Sequence, residues 1–577
     1  MEALLRHEGR WLRFRRPRRV LTARRVEDVL PLMEEAERSG RYVAGFLAYE
    51  ASPAFDAALK VRDAGDFPLA VLGLFDAPES CASLDFLPAP DAFEFGALRP
   101  TVSREAYLAA IASVKERIAQ GASYQVNYTY RLTAPFSGDA RAFFRWLTEG
   151  RDPERAAFVE TEDWSICSAS PEWFFRLSPE GVATARPMKG TAARGRWPEE
   201  DARCAEALRR SKKDRAENVM IADMIRNDLG RVAEAGGVET ESLFDVEPHA
   251  DVWQMTSTVR ARVGGPRAGR LVRLTKALFP CASITGAPKA KTMEIVAELE
   301  STPRRIYTGA IGFWTPEGEA SFGVAIRTAL IDRRAGRMEY GTGGGITWDS
   351  DPEAEWEETR LKTLTLRRPD SDFRLLETML WEPDEGLFLV DEHLNRLARS
   401  AGFFGIAFDA RAARSRLEAT MAGLPPQAHR VRLLLGRAGG FDLRAFPLDL
   451  PASAAPVPAA LARTPVDSRD RFLYHKTTRR EVYDRARAER PDVEETILWN
   501  ERGEVTEGTI ANVVVRKNGR LVTPPVSSGL LPGTFRARLL ETGKIVEEPV
   551  SILDLKSARE AFLINSVRRW RPLRLEA

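Results

Sequence analysis

Apolar positions change period several times along this chain, and the changes mark out its elements. Residues 26–39 follow a helical pattern, and the apolar run 42–49 reads as a strand. A loose Pro/Ala-rich stretch covers 87–100. Ser103 can cap a helix in which Tyr107, Ile111, Val114 and Ile118 recur at helical spacing. A strand pattern follows from Tyr124 to Tyr130, and helices then alternate with strands, including 182–185, 309–314 and 322–330, to about Leu366. Residues 364–372 are polar, charged and proline-containing, the composition of a junction. The spacing predicts an α+β protein with a β-rich part over 1–100, a second region of alternating helices and strands over 101–366, a linker at 367–372 and a separate unit over 373–577. The Pro/Ala stretch 451–462 reads as a loop.

At 577 residues the chain exceeds one ordinary core. Basic and acidic residues nearly cancel, 85 against 83, so no global field favours nucleic acid. Cys81, Cys167, Cys204 and Cys281 are scattered, with neither a disulfide framework nor zinc-ligand spacing, which fits a reducing cytosol. The charged N-terminus lacks the apolar core of a signal peptide, and no apolar run approaches the ~20 residues of a membrane helix. The expectation is a soluble cytoplasmic protein.

Three motifs carry the first candidate chemistry: Pro187-Met188-Lys189-Gly190-Thr191, Glu217-Asn218-Val219-Met220-Ile221 and Ser283-Ile284-Thr285-Gly286-Ala287-Pro288-Lys289. Lys189 sits where a strand opens into a loop, and Glu217 opens a helix. Glu355 and Glu358 are three apart and share one helical face, where like charges repel unless a cation intervenes. Spacing alone favours a solvated acidic helix start. The run Gly341-Thr342-Gly343-Gly344-Gly345 lets backbone approach a ligand, although a glycine triplet by itself marks only a turn.

Together these stretches resemble the chorismate-utilising enzymes, which include anthranilate and aminodeoxychorismate synthases. Anthranilate synthases typically carry alanine at the position of Lys189; lysine there points to the aminodeoxychorismate type. The resemblance implies Mg²⁺ at Glu217, Glu355 and Glu358, and a substrate pocket with Thr191, Thr285, Gly286, Tyr307, Arg327, Gly344 and Lys362. It further implies that Lys189 attacks the chorismate ring while Glu172 protonates the departing hydroxyl. A lysine that merely pairs with a carboxylate is the bland reading of Lys189. Many relatives have histidine near Val252-Trp253-Gln254-Met255, and Gln254 cannot replace it as an acid or base. None of the four cysteines lies in a glycine-rich elbow, so ammonia is expected from a separate glutamine amidotransferase subunit.

The last third contains Glu392-His393-Leu394-Asn395-Arg396-Leu397, Tyr474-His475-Lys476, Val505-Thr506-Glu507-Gly508 and Leu531-Pro532-Gly533-Thr534-Phe535-Arg536. These resemble the fold type IV pyridoxal-phosphate enzymes, a two-subdomain α/β group of lyases and aminotransferases that also allows a homodimer. By that resemblance Lys476 binds the cofactor aldehyde and Glu507 faces the pyridine nitrogen. Arg396, Thr534, Phe535 and Ser566 then hold phosphate, and Thr378 stands near a threonine implicated in lyases. Adjacency of the two halves favours a lyase acting on the product of the first site. A synthase of the anthranilate or secondary-metabolite type fused to an aminotransferase is the alternative.

Overall fold

The computed structural model describes all residues except 152, 250–251, 368–372, 450–454 and 577. Apart from Arg367, the junction read at 367–372 lies outside the described residues. The chain forms two compact units, one of residues 1–192 and 207–371, the other of 193–206 and 372–577.

The first unit is built on two large sheets. In one, Gln125–Gly138, Arg337–Ile346, Thr328–Asp332 and Trp164–Ser170 are successive neighbours. In the other, Met188–Ala193, Val252–Val263, Val182–Arg186, Trp173–Leu177 and Ala320–Val324 follow one another. Leu5, Phe14, Val159 and Leu330 of the first sheet pack with Phe46, Val71 and Phe313 of the second, so one core lies between the sheets. Helices cover the outer faces: Arg104–Ala119 and Ala140–Thr148 on the first sheet, Val26–Arg38 and Lys212–Gly230 on the second. Ser103 caps the helix Arg104–Ala119, its side chain accepting from Ala106 N.

The second unit has a four-stranded sheet that includes Leu375–Glu382, His429–Leu435 and Phe441–Pro447. Helices Val390–Phe404 and Ala410–Met421 pack on one of its faces. An eight-stranded sheet, with Glu495–Trp499, Val505–Gly508 and Asn512–Lys517 among its strands, forms the other layer. Residues 193–206 join this unit through Trp197, which stacks on Tyr474 at 4.9 Å, and through Arg196, which donates to the Tyr474 hydroxyl.

Several local readings differ from the structure. Lys189 lies within a strand, Met188–Ala193, rather than at its mouth, and Glu217 lies inside the helix Lys212–Gly230 rather than at its start. The glycine run falls within the strand Arg337–Ile346 rather than after one. The apolar stretch 322–330 is two strands belonging to different sheets, because the chain crosses between the layers at residues 325–327. Period-2 patterning cannot register such a crossing when both strands are buried. The stretch 451–462 contains a strand, Val457–Leu461, flanked by parallel neighbours; small apolar residues suffice where both faces are covered.

Candidate active sites

The first site gathers on the strand Arg337–Ile346, whose missing side chains make room for others. A methyl group at Gly341 would meet the Tyr307 ring, one at Gly344 would lie 2.7 Å from Glu355 Oε2, and one at Gly345 would lie 2.6 Å from Lys189 Nζ. Lys362 Nζ donates to Gly343 O at 2.8 Å and pairs with Glu358 at the same distance. Tyr307, Lys189, Glu355 and Lys362 therefore all approach one glycine-rich strand, Tyr307 and Lys189 on the face of Gly341 and Gly345 and Glu355 on the face of Gly344. Opposite, Gly286 (φ 137°) comes so close to Gln125 O that only glycine fits, and Thr285 is fully buried.

Lys189 is half-buried, and its strand is clamped by neighbours the sequence did not single out. Asn218 Nδ2 donates to Lys189 O at 3.1 Å, and Asn218 accepts in turn from Ser257. Gln254 Nε2 donates to Gly190 O at 2.8 Å while its oxygen accepts from Thr191 at 3.1 Å. Gln254 thus braces the lysine strand, and the Thr191 hydroxyl is committed to it on an exposed residue. Burial lowers the Lys189 pKa, partly offset by the charge of Glu217.

Glu172 is buried and accepts from Ser283 Oγ at 2.5 Å; burial raises its pKa to about 7 despite that bond. A carboxyl so placed can carry a proton near neutrality. Arg327 occupies the crossing between the sheets with a left-handed backbone (φ 48°), an uncommon conformation for a side chain of its size. Gln125, 1% exposed beside Lys189, has both amide atoms without a hydrogen-bond partner among the described residues. Its signal in the sequence was a polar residue inside an apolar strand run.

Among the described residues no group of three His, Cys, Asp or Glu stands close enough to hold a metal ion. The three proposed ligands nonetheless share one field. Burial raises the pKa of Glu217 and of Glu355, and the charge of Glu358 adds to both. Lys362 supplies the positive charge at Glu358 and holds that carboxyl below its ordinary value. Carboxylate oxygens are the donor type a hard divalent cation takes.

The second site is a cavity of about 320 Å³ lined by Lys476, Glu507, Arg396, Thr534, Ser566 and Thr378. Lys476 is held where its carbonyl accepts from Leu376 N at 2.9 Å. Burial and the charge of Arg396 lower its pKa to about 8, an amine available for an aldehyde. Glu507 accepts from the Tyr483 hydroxyl at 2.8 Å and Leu531 N at 3.0 Å, and burial raises its pKa to about 7. Phe535 packs in an apolar cluster with Leu539 and Ile564, which leaves only its backbone to face the cavity. Ser566 Oγ donates to Thr378 O at 3.3 Å.

Arg396 donates to both oxygens of Glu377, at 2.9 and 2.6 Å, and to Pro532 O at 3.1 Å. Glu377 (1% exposed) is a residue that sequence reasoning passed over, because Leu376-Glu377-Thr378 drew attention only for its threonine. His393 Nδ1 lies 2.6 Å from Glu377, and its Nε2 lies 3.2 Å from Thr534 Oγ1. Burial lowers the His393 pKa, which favours the neutral ring. A carboxylate only accepts; the ring proton therefore sits on Nδ1, and Thr534 donates to Nε2. Phosphate at the Gly533-Thr534-Phe535 helix start would then meet backbone amides and the remaining Arg396 hydrogens.

Two known family models match the chain. The chorismate binding enzyme model matches residues 8–368, and the chain belongs to that family. The amino-transferase class IV model matches residues 374–575. Among relatives, the aminodeoxychorismate synthase of Streptomyces griseus is 39% identical over 294 residues, 49% of this chain and 39% of that protein. Aminodeoxychorismate synthase component 1 of Klebsiella aerogenes is 40% identical over 289 residues, 49% of this chain and 63% of the relative. The chain thus spans less than two thirds of either. The anthranilate synthase component I structure from Streptococcus pneumoniae TIGR4 superposes with TM-score 0.54 at 22% identity, covering 64% of this chain and 92% of that one, a likeness of fold. No described helix is long and apolar enough to cross a membrane.

Proposed function

We propose that the chain makes 4-aminobenzoate from chorismate in two steps, as a cytoplasmic enzyme of folate biosynthesis. The first unit converts chorismate and ammonia to 4-amino-4-deoxychorismate and water. The second splits that product into 4-aminobenzoate and pyruvate. What carries the reading is Lys189, a lysine of lowered pKa whose nitrogen reaches the glycine strand at Gly345, with Lys362 and protonatable Glu172 in its field.

In the first step neutral Lys189 adds to ring carbon C2, the two conjugated double bonds shift toward C4, and the C4 hydroxyl leaves as water with the Glu172 proton. Ammonia then adds at C4, the double bonds shift back, and Lys189 departs. Arg327, Lys362 and the amides near Thr285 and Gly344 are assigned to the substrate carboxylates. Glu217, Glu355 and Glu358 would hold Mg²⁺, which steadies a carboxylate. The ammonia would come from a glutamine amidotransferase partner.

In the second step Lys476 removes the proton from the carbon bearing the amine, the ring–ether C–O bond breaks, and the ring becomes aromatic as pyruvate leaves. Bound pyridoxal phosphate supplies the electron sink that acidifies that C–H bond. Arg396 with the Gly533-Thr534-Phe535 amides and Ser566 would hold its phosphate, and Glu507 its pyridine nitrogen. A homodimer through this unit is part of the proposal.

The test is mass spectrometry of products from chorismate, ammonium and Mg²⁺, with and without pyridoxal phosphate. Aminodeoxychorismate should accumulate without the cofactor, and 4-aminobenzoate plus pyruvate should appear with it. Fluorescent anthranilate, or an aminated product retaining its enolpyruvyl arm in the presence of cofactor, would overturn the reading.

A further inference from the structure

One wall of the second-unit cavity carries charge that neither the Lys476 nor the phosphate assignment uses. It is a face of the four-stranded sheet. On Leu375–Glu382 and His429–Leu435, side chains alternate: Leu375, Met379, Val431 and Leu433 pack with the two helices. The intervening Leu376, Thr378, Arg430 and Arg432 line the cavity. Arg432 is the register partner of Thr378 on one side and of Arg444 on the other.

Like charges directly opposite each other weaken a strand pair, yet the sheet keeps them here. Arg444 is relieved by Asp442 at 3.3 Å, and Arg430 lies over the Phe446 ring at 5.2 Å. Half-buried Arg432 has no carboxylate partner among the described residues. The acids lining the cavity are Glu507 and Asp484, and Glu507 is already held by Tyr483 and Leu531 N. Guanidiniums that no carboxylate of the wall neutralises are left to receive anions.

We propose that Arg430 and Arg432 are the substrate receptor of the second unit, built for a dicarboxylate whose carboxylates stand on two arms away from the reacting amine. The inference rests on the class IV reading above and deepens it. A guanidinium fork matches a carboxylate in bidentate fashion. Two such forks two residues apart on a strand are separated by roughly 7 Å, so they receive two carboxylates rather than one. An α-amino acid, with its carboxylate on the reacting carbon, engages one fork at most. The pair therefore selects 4-amino-4-deoxychorismate over ordinary amino acids.

The experiment uses the full chain loaded with pyridoxal phosphate, supplied 4-amino-4-deoxychorismate, and the variants Arg432→Gln, Arg430→Gln and Arg432→Lys. Losing one charged hydrogen-bonding partner should raise KM about 10- to 100-fold in each Gln variant, with kcat changed only a few-fold. Arg432→Lys should recover part of the loss. Isophthalate, an unreactive dicarboxylate, should compete in the parent and weaken in parallel by calorimetry, while cofactor absorbance near the visible edge stays unchanged. Unchanged KM and isophthalate affinity in enzyme that retains this absorbance would overturn the receptor. Absence of the absorbance in the parent protein would instead overturn the class IV reading beneath it.

Discussion

Lys189 and Gly345 are matched in size: a methyl group on Gly345 would stand 2.6 Å from the lysine nitrogen and 2.2 Å from the Gln125 amide. The strand that carries Gly345 thus sets where the amine can be. Gly345→Ala should displace it. A shift of about 1 Å at a reacting atom costs on the order of 100-fold, and we expect that loss in aminodeoxychorismate formation with chorismate and ammonium. Cleavage of supplied aminodeoxychorismate by the second unit should be unaffected. Normal first-step rates in G345A would remove Lys189 from the reaction.

The first step should show a bell-shaped pH profile. Glu172 acts as an acid and must hold its proton, so the rate falls as pH rises through about 7. Lys189 acts as a free amine, so the rate rises with pH through its lowered value. Glu172→Gln should reduce the rate roughly 10²- to 10⁴-fold and abolish the descending limb. Persistence of that limb in E172Q would assign it to another group.

Lys476→Ala should remove the visible-edge absorbance and cause aminodeoxychorismate to accumulate from chorismate and ammonium. Because its pKa is lowered to about 8, cofactor loading of the parent should quicken as pH rises through that value. Wild-type release of 4-aminobenzoate by K476A would end the assignment.

Glu377 orients Arg396 from beneath the cavity while charge-paired to it, and Arg396 and His393 hold its pKa well below the carboxylate range against the effect of burial. Glu377→Gln keeps the shape but cannot accept from both partners through two charged oxygens. Pyridoxal phosphate affinity, read by absorbance titration without substrate, should fall by about 10-fold or more. An unchanged affinity would make the Glu377–His393–Thr534 chain purely structural.

Much of this was legible in the chain. Lys189, Glu172 and Lys476 stood out through the motifs around them, which resemble those of chorismate-utilising and fold type IV pyridoxal-phosphate enzymes. The helix Arg104–Ala119 announced its own cap and period. What misled was burial on both faces. The residues 322–330 read as one strand because apolar alternation does not distinguish one long strand from two that enter different sheets. The glycine run read as lying after a strand rather than within one because glycine has no side chain to declare that its neighbours fill its place.

The sequence by itself determined which chemical groups are present and the local periods that place them on helices or strands. Those are properties of neighbouring residues and need no partner. Only the tertiary structure decided that Gln125, Asn218 and Gln254 surround Lys189, that Glu377 lies under Arg396, and that Thr378 faces Arg432. These contacts join residues tens to hundreds of positions apart. They are fixed by strand register and by where the chain crosses between sheets, which no local pattern encodes.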